Sequence, residues 1–343
     1  MKKTLAIVLA LAMALALVAC GGSTSSSAAA SGATSGAASA PAASGEKTDI
    51  TLATGSTSAN YYAIGGVMST VLNDKLSLSN ITVTSTGASK ANVQLLQDGE
   101  ANMCIVQNDV ASYAYTGTDL FEAEGSYTDW SALCAMYDET VQIFTLDPEI
   151  KTFTDLKGKT VSVGAAGSGD NFAAGQIFEE FGMSMENDVN AVYQSYSDSA
   201  EGMKDGKIDA AFCVSGAPTT ALVDLAATAG KPLNIITIEP EHIQGLMDKY
   251  SFYTETTIPA GTYDGLDTDV TTVSIRAMLA CRNDVSEDVV YELMTAMFDN
   301  LDDLKAGHAK FESLSLESAT EGVSLPYHPG AVKFFEENGI TVE

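Results

Sequence analysis

The residues ATGSTSANYYAIGG (53–66) follow directly on the apolar run ITLA (50–53) and lead into a helical pattern. A strand, a loop of glycine and hydroxyls, then a helix: this order presents the free N–H groups of a helix start beside short hydrogen-bonding side chains. Neither a phosphate-loop lysine nor a dinucleotide glycine spacing follows. Such a loop suits a small polar organic acid held mainly by dipoles.

The sequence around it repeats the arrangement. Strand-like ITLAT (50–54), ITVTS (81–85) and NMCIVQ (102–107) alternate with helical stretches over 62–76 and 90–98, which predicts α/β structure with parallel strands and helices on both faces. KTVSVGAAGSGDNFAAG (159–175) resembles the opening stretch at an offset of 111 residues, Asn171 standing for Asn60 and Phe172 for Tyr61. LLQDGEANMCIVQ (95–107) and GMKDGKIDAAFCVSG (202–216) share a helix end, an Asp-Gly stop and an apolar strand at an offset of 107. Near-equal offsets predict two similar lobes: residues 47–137 with 240–343, and residues 138–239. The chain is expected to change lobes near Cys134–Tyr137 and near Ile235–Thr237.

Two such lobes turn strand ends and helix starts towards one crevice, where open sheets bind ligands. The loops facing it hold Thr57, Ser58, Ser89, Asn92, Gln107, Ser168, Asn171 and Ser215, all short polar groups. Several have a purely structural alternative. Ser89, Ser168 and Asp170 can cap helices, Pro218 can open one, and Tyr61 can be a core aromatic.

The chain start indicates where the protein works. Lys2 and Lys3 precede an apolar stretch, Leu5 to Val18, too short to span a bilayer, and it ends on Leu17-Val18-Ala19-Cys20. This predicts a lipoprotein signal over 1–19, with Cys20 lipidated and anchoring the protein to the outer face of the cytoplasmic membrane. Residues 21–46 are almost wholly Gly, Ser, Thr and Ala, a flexible tether. Cleavage removes two of the 17 basic side chains and none of the 45 acidic ones, taking the net charge from −28 to −30. A field of that sign repels nucleic acid and anionic headgroups. Cys104, Cys134, Cys213 and Cys281 sit in apolar stretches without Cys-x-x-Cys spacing, and read as buried thiols or as a disulfide that sequence does not pair. The three histidines have no metal-ligand spacing, so no metal or other cofactor is expected. A Gly-x-Ser-x-Gly elbow is also missing, and the chain reads as a binding protein, not an enzyme.

Six blocks carry a family resemblance: ATGSTSANYYAIGG (53–66), STGASKANVQLLQDGEANMCIVQNDVASYAYTG (85–117), DLKGKTVSVGAAGSGDN (155–171), DGKIDAAFCVSGAPTTAL (205–222), FYTETTIPAGTYDG (252–265) and LPYHPGA (325–331). Together they resemble the TAXI family, the solute receptors of TRAP transporters. The resemblance implies a two-lobed periplasmic-binding-protein type II fold with a hinge and an interlobe cleft. It implies a receptor that takes a small carboxylate, such as glutamate or glutamine, to a TRAP permease; the alternatives are a substrate-binding lipoprotein of an ABC importer or a ligand-free surface adhesin or antigen, and a monomer is expected. The ligand residues it implies are Gly55, Ser56, Thr57, Ser58, Tyr61, Thr86, Ser89, Lys90, Asn92, Gln107, Asp109, Tyr137, Ser168, Gly169, Asp170, Asn171, Ser215, Gly216 and Pro218. Asp109 would meet a ligand ammonium, or else only favour its helix dipole. Lys90, where the family pattern has a small or apolar residue, would select a second carboxylate if it turned inward, and would otherwise lie on the surface. Arg276, amid apolar neighbours in VTTVSIRAMLA (270–280), should find an acidic partner or a ligand.

Overall fold

The computed structural model describes residues 47–342, all within one compact unit. The signal segment 1–19, the lipidated Cys20 and the tether to residue 46 lie outside the described residues. In chain order, β1 (Thr48–Ala53), α1 (Asn60–Leu72), β2 (Ser79–Thr84), α2 (Ser89–Asp98), β3 (Met103–Gln107) and α3 (Asn108–Thr116) lead to a long strand, β4 (Trp130–Thr145). Then come β5 (Thr160–Ser162), α4 (Gly169–Glu180), β6 (Asn190–Val192), α5 (Tyr196–Lys204), β7 (Ala210–Ser215), α6 (Thr220–Thr228) and β8 (Asn234–Ile235). The chain returns through α7 (Pro240–Lys249), β9 (Thr254–Ile258) and a second long strand, β10 (Val270–Arg282), and continues into α8 (Glu287–Asp299), α9 (Leu301–Gly307) and α10 (Pro329–Glu337).

The strand order is β2-β1-β3-β10-β4-β7-β5-β6. β1, β2 and β3 pair in parallel, as do β5, β6 and β7. The sequence repeat thus reappears as two three-stranded parallel units, β2-β1-β3 and β6-β5-β7. Both units end their second helix on the repeated Asp-Gly, and Gly99 (φ 75°) and Gly206 (φ 69°) take the left-handed conformation that stops a helix. β3 and β7 are buried along their whole length, as strands covered on both faces must be.

Two features were not expected. β4 and β10 pair antiparallel to each other and to their neighbours, so the sheet is mixed. They also run through both halves. Leu133, Cys134, Met136 and Tyr137 of β4 pack with Ile50, Leu52 and Ile64, whereas Val141 and Ile143 pack with Val161, Ile177 and Phe212. On β10, Ala277 and Leu279 belong to the first core, Val273 and Ile275 to the second. The chain therefore changes lobes at 138–140 and at Arg276. Residues 240–275, assigned to the first lobe from sequence, contribute Ile243, Leu246 and Tyr253 to the cores of the second, and so do Ile258, Tyr263 and Leu266. Periodicity could not show this, because β10 buries its side chains equally well in either half.

At the second crossing Arg276 finds its acidic partners. Its Nε lies 3.2 Å from Asp138 Oδ1, across the β4–β10 register, and its Nη2 pairs with Glu321. The four cysteines are buried and unpaired. The second lobe's core turns on Phe153, fully buried with ring centroids 4.9 Å from Phe178 and 4.2 Å from Phe181. Phe153→Ala is expected to cost about 3–5 kcal/mol in urea unfolding, the range for a buried ring that leaves a cavity; a loss below about 1 kcal/mol would contradict this packing.

Candidate ligand-binding site

Between the lobes lies a cavity of about 70 Å³. A single water needs roughly 10–15 Å³ by the same measure, so the space suits a molecule of a few heavy atoms. The first lobe lines it with Gly55, Ser56, Ala59, Tyr61, Thr86, Gly87, Ala88, Ser89 and Gln107, the crossing strand with Glu139. The second lobe adds Ala165, Ser168, Gly169, Asp170, Gln194, Ser195, Tyr196, Val214 and Ser215.

Four helices start at this cavity, with Ala59, Ala88, Ser168 and Ser195 as the N-cap residues of α1, α2, α4 and α5. Ser168 and Ser195 accept hydrogen bonds from the N–H groups of Asn171 and Asp198. Ala59 and Ala88 cap nothing. Alanine is a poor N-cap, typically about 1 kcal/mol worse than serine, and two of them leave the first N–H groups of α1 and α2 free to serve an anion. Ala88 is also strained: φ 68°, ψ −152° is a conformation that essentially only glycine enters freely. Thr86 and Asn92 hold it there. Thr86 Oγ1 accepts from Ala88 N at 3.0 Å, Asn92 N donates to Ala88 O at 2.9 Å, and Asn92 Nδ2 donates to Thr54 O and Ile105 O.

The floor is acidic. Glu139 accepts hydrogen bonds from Tyr61 Oη (2.8 Å) and Tyr137 Oη (3.3 Å). Asp170 accepts from Val214 N (2.7 Å) and from Tyr196 Oη. Burial raises both carboxyls, Glu139 to about 8 and Asp170 to about 6, against the opposing pull of these donors. Gln107 Oε1 is buried without a partner. The lobes approach closely here: a Cβ on Gly169 would come within 1.6 Å of Gln107 Oε1, and Asn60 Nδ2 donates to Ser215 Oγ and Gly216 O at 3.0 and 2.9 Å.

Of the residues expected from sequence, the cavity gathers Gly55, Ser56, Tyr61, Thr86, Ser89, Gln107, Ser168, Gly169, Asp170 and Ser215. The others sit elsewhere. Thr57 and Pro218 are exposed, Ser58 bonds Ser56, and Asn92 fixes the loop from behind. Asn171 donates to Val163 O, Tyr137 stands behind Glu139, and Gly216 lies beneath the Lys310 side chain. Lys90 reaches Leu120 O (2.7 Å) and Glu124 (2.8 Å) and does not line the cavity. Asp109 is buried beyond the cavity, one oxygen accepting from Val110 N and the other unpartnered, and burial raises it to about 7. It does not line this cavity. Glu139, Gln194, Ser195 and Tyr196 were missed. The repeat could have found the last three, since their loop follows β6 as Thr86–Ser89 follows β2; Glu139 shows only as an acid inside an apolar strand.

The two lobes and the cavity between them give a two-lobed periplasmic-binding-protein-like fold. The chain belongs to the NMT1-like family, whose pattern matches residues 52–339. A structure from Bordetella bronchiseptica RB50 shares the fold at TM-score 0.51 and 13% identity, covering 84% of this chain and 89% of that one. The MOPS-bound alkanesulfonate-binding protein of Xanthomonas axonopodis pv. citri matches at TM-score 0.47 and 13% identity, over 86% and 92% of the two chains. The substrate-binding protein of an amino acid ABC transporter matches at 0.43 and 13%, over 78% and 100%.

The three raised carboxyls have a consequence for stability. Unfolded carboxyls titrate near 4, so the folded state holds extra protons between about pH 4 and 8, and unfolding free energy falls as pH rises through that window. The exposed carboxylates held low by partners, such as Asp155 and Asp188, act below it. His308 and His328, held low by burial, act in the opposite sense, so the check is a difference: from pH 5 to pH 8 the ligand-free melting temperature of the parent is expected to fall relative to that of Glu139→Gln, and identical slopes would show that Glu139 ionises freely.

Proposed function

We propose that this protein is an extracytoplasmic solute receptor, held at the outer face of the cytoplasmic membrane by a lipid on Cys20, that captures a small carboxylate such as an amino acid and delivers it to a membrane transporter. The observation that carries the reading is the cavity between two lobes on which four helix N-termini converge, two of them left without caps. Donors of this kind bind a carboxylate without a basic side chain. The reading is that of a binding receptor and not of an enzyme.

The lobes, with their boundary at the crossings of β4 and β10, close on the solute. A ligand that touches both lobes favours the closed form by its differential affinity for it. The six sequence blocks favour a TRAP-type permease driven by an ion gradient as partner. An ABC importer is the second reading; an ATPase co-purifying with the receptor's membrane partner would decide for it.

A thermal-shift panel on the chain from Lys47, run with glutamate, glutamine, other amino acids, C4 dicarboxylates and short keto acids, tests the receptor reading. Ligand at about 1,000 times its Kd adds roughly 4 kcal/mol, and a large shift for one chemical class is expected. No shift for any class, after refolding to strip bound solute, would overturn the reading. Closure has its own test. Gly169→Ala places a methyl against Gln107 and should weaken the ligand at least about tenfold, a step of 1.4 kcal/mol, with little change in ligand-free stability; unchanged affinity would mean that the lobes do not meet here.

A further inference from the structure

The cavity's charge is one-sided. Glu139 and Asp170 line it, both buried, and no lysine, arginine or histidine is among its lining residues. Gln107, 3% exposed, lines the same space, and its Oε1 has no hydrogen-bond partner. The tyrosine hydroxyls of the cavity floor are engaged elsewhere, Tyr61 and Tyr137 on Glu139 and Tyr196 on Asp170. A buried acceptor without a donor is costly unless something else supplies one, and here three acceptors share one cavity.

Nearby cations are committed elsewhere. Lys90 pairs with Glu124 outside the cavity. Lys310 reaches across to donate to the Ala217 carbonyl, and burial lowers its affinity for its own proton. A ligand carboxylate at this end would meet two acidic side chains, with the nearby Lys310 already bonded to the Ala217 carbonyl, and it is repelled to the extent that those carboxyls are ionised. At the opposite end, the free N–H groups of α1 and α2 accept one carboxylate.

Resting on the receptor reading above, we infer that the ligand presents an amine cation to Glu139 and Gln107 Oε1, lays its single carboxylate on the starts of α1 and α2, and carries no net negative charge. Amino acids with neutral or basic side chains satisfy this. Dicarboxylates and keto acids do not, and an acidic side chain counts against an amino acid that carries one.

A proton accompanies capture. Burial holds Glu139 near 8, so much of it is neutral at pH 7; an ammonium at hydrogen-bond distance favours its ionised form, and the proton leaves to water. The other groups facing it are Tyr61 of α1, Tyr137 on its own strand, Asp170 of α4, Tyr196 of α5, Cys213 of β7 and Lys310. The tyrosines and the cysteine are raised and stay protonated, so the change falls on the two carboxyls. Amine affinity therefore rises with pH between about 6 and 8.

The test is isothermal titration of the purified protein, stripped of solute and refolded, with a matched series: glutamine, glutamate, arginine, other neutral amino acids and glutarate. At least one neutral or basic amino acid should bind, with glutarate about 100-fold weaker or undetectable and glutamate about tenfold weaker than glutamine. Glu139→Gln should reduce amine affinity about 100-fold while its ligand-free melting temperature at pH 8 equals or exceeds the parent's. Glutarate or glutamate binding as tightly as the best amine-bearing neutral ligand would overturn the inference and leave the receptor reading standing. So would an unchanged affinity in Glu139→Gln. Silence from the whole series and from the wider panel would remove the receptor reading and the inference together.

Discussion

The antiparallel ladder between β4 and β10 carries both halves of this molecule. Each strand leaves one apolar core and enters the other within two or three residues, and the residues at the crossing cannot be apolar on both counts. Asp138 and Arg276 face one side of the sheet and pair there. Alternation along the strand then sends Glu139 to the opposite side, into the cavity between the lobes. The acid at the centre of the site is thus a product of strand register. Shifting β4 by one residue would exchange the exposed ion pair and the buried carboxylate.

Around that fixed floor the two halves contribute unlike walls, although they derive from the same repeated pattern. The second lobe caps its own helices with Ser168 and Ser195. The first leaves α1 and α2 uncapped and holds Ala88 in a strained conformation through Thr86 and Asn92. Strain and missing caps reduce stability, and they concentrate where a ligand carboxylate would sit. The acidic end is the counterpart: Glu139 and Asp170 lie there, each already accepting from tyrosine, beside the unpartnered Gln107 oxygen. A site with donors at one end and acceptors at the other fits a zwitterion better than a dianion.

Much of this was legible from sequence. The repeated strand, glycine loop and helix identified the two α/β units, and the paired Asp-Gly stops identified their helix ends. Loop residues next to helix starts, short and polar, fall on the cavity between the lobes. What failed were inferences that needed the third dimension. Lys90 and Asp109 lie in the right loops, yet side-chain direction sends Lys90 to Glu124 and Asp109 into a neighbouring interior. Glu139 was hidden by its apolar neighbours, and the lobe boundary at Arg276 was hidden because β10 is equally apolar on both sides of it. In each case local pattern is silent about which of two cores a residue joins.

A crystal structure of the protein with its solute bound tests the central claim most directly. A ligand nitrogen within about 3.2 Å of both Glu139 and Gln107 Oε1, with the carboxylate on the starts of α1 and α2, is the expected result. A ligand carboxylate facing Glu139, or a solute with no nitrogen at that end, would contradict it.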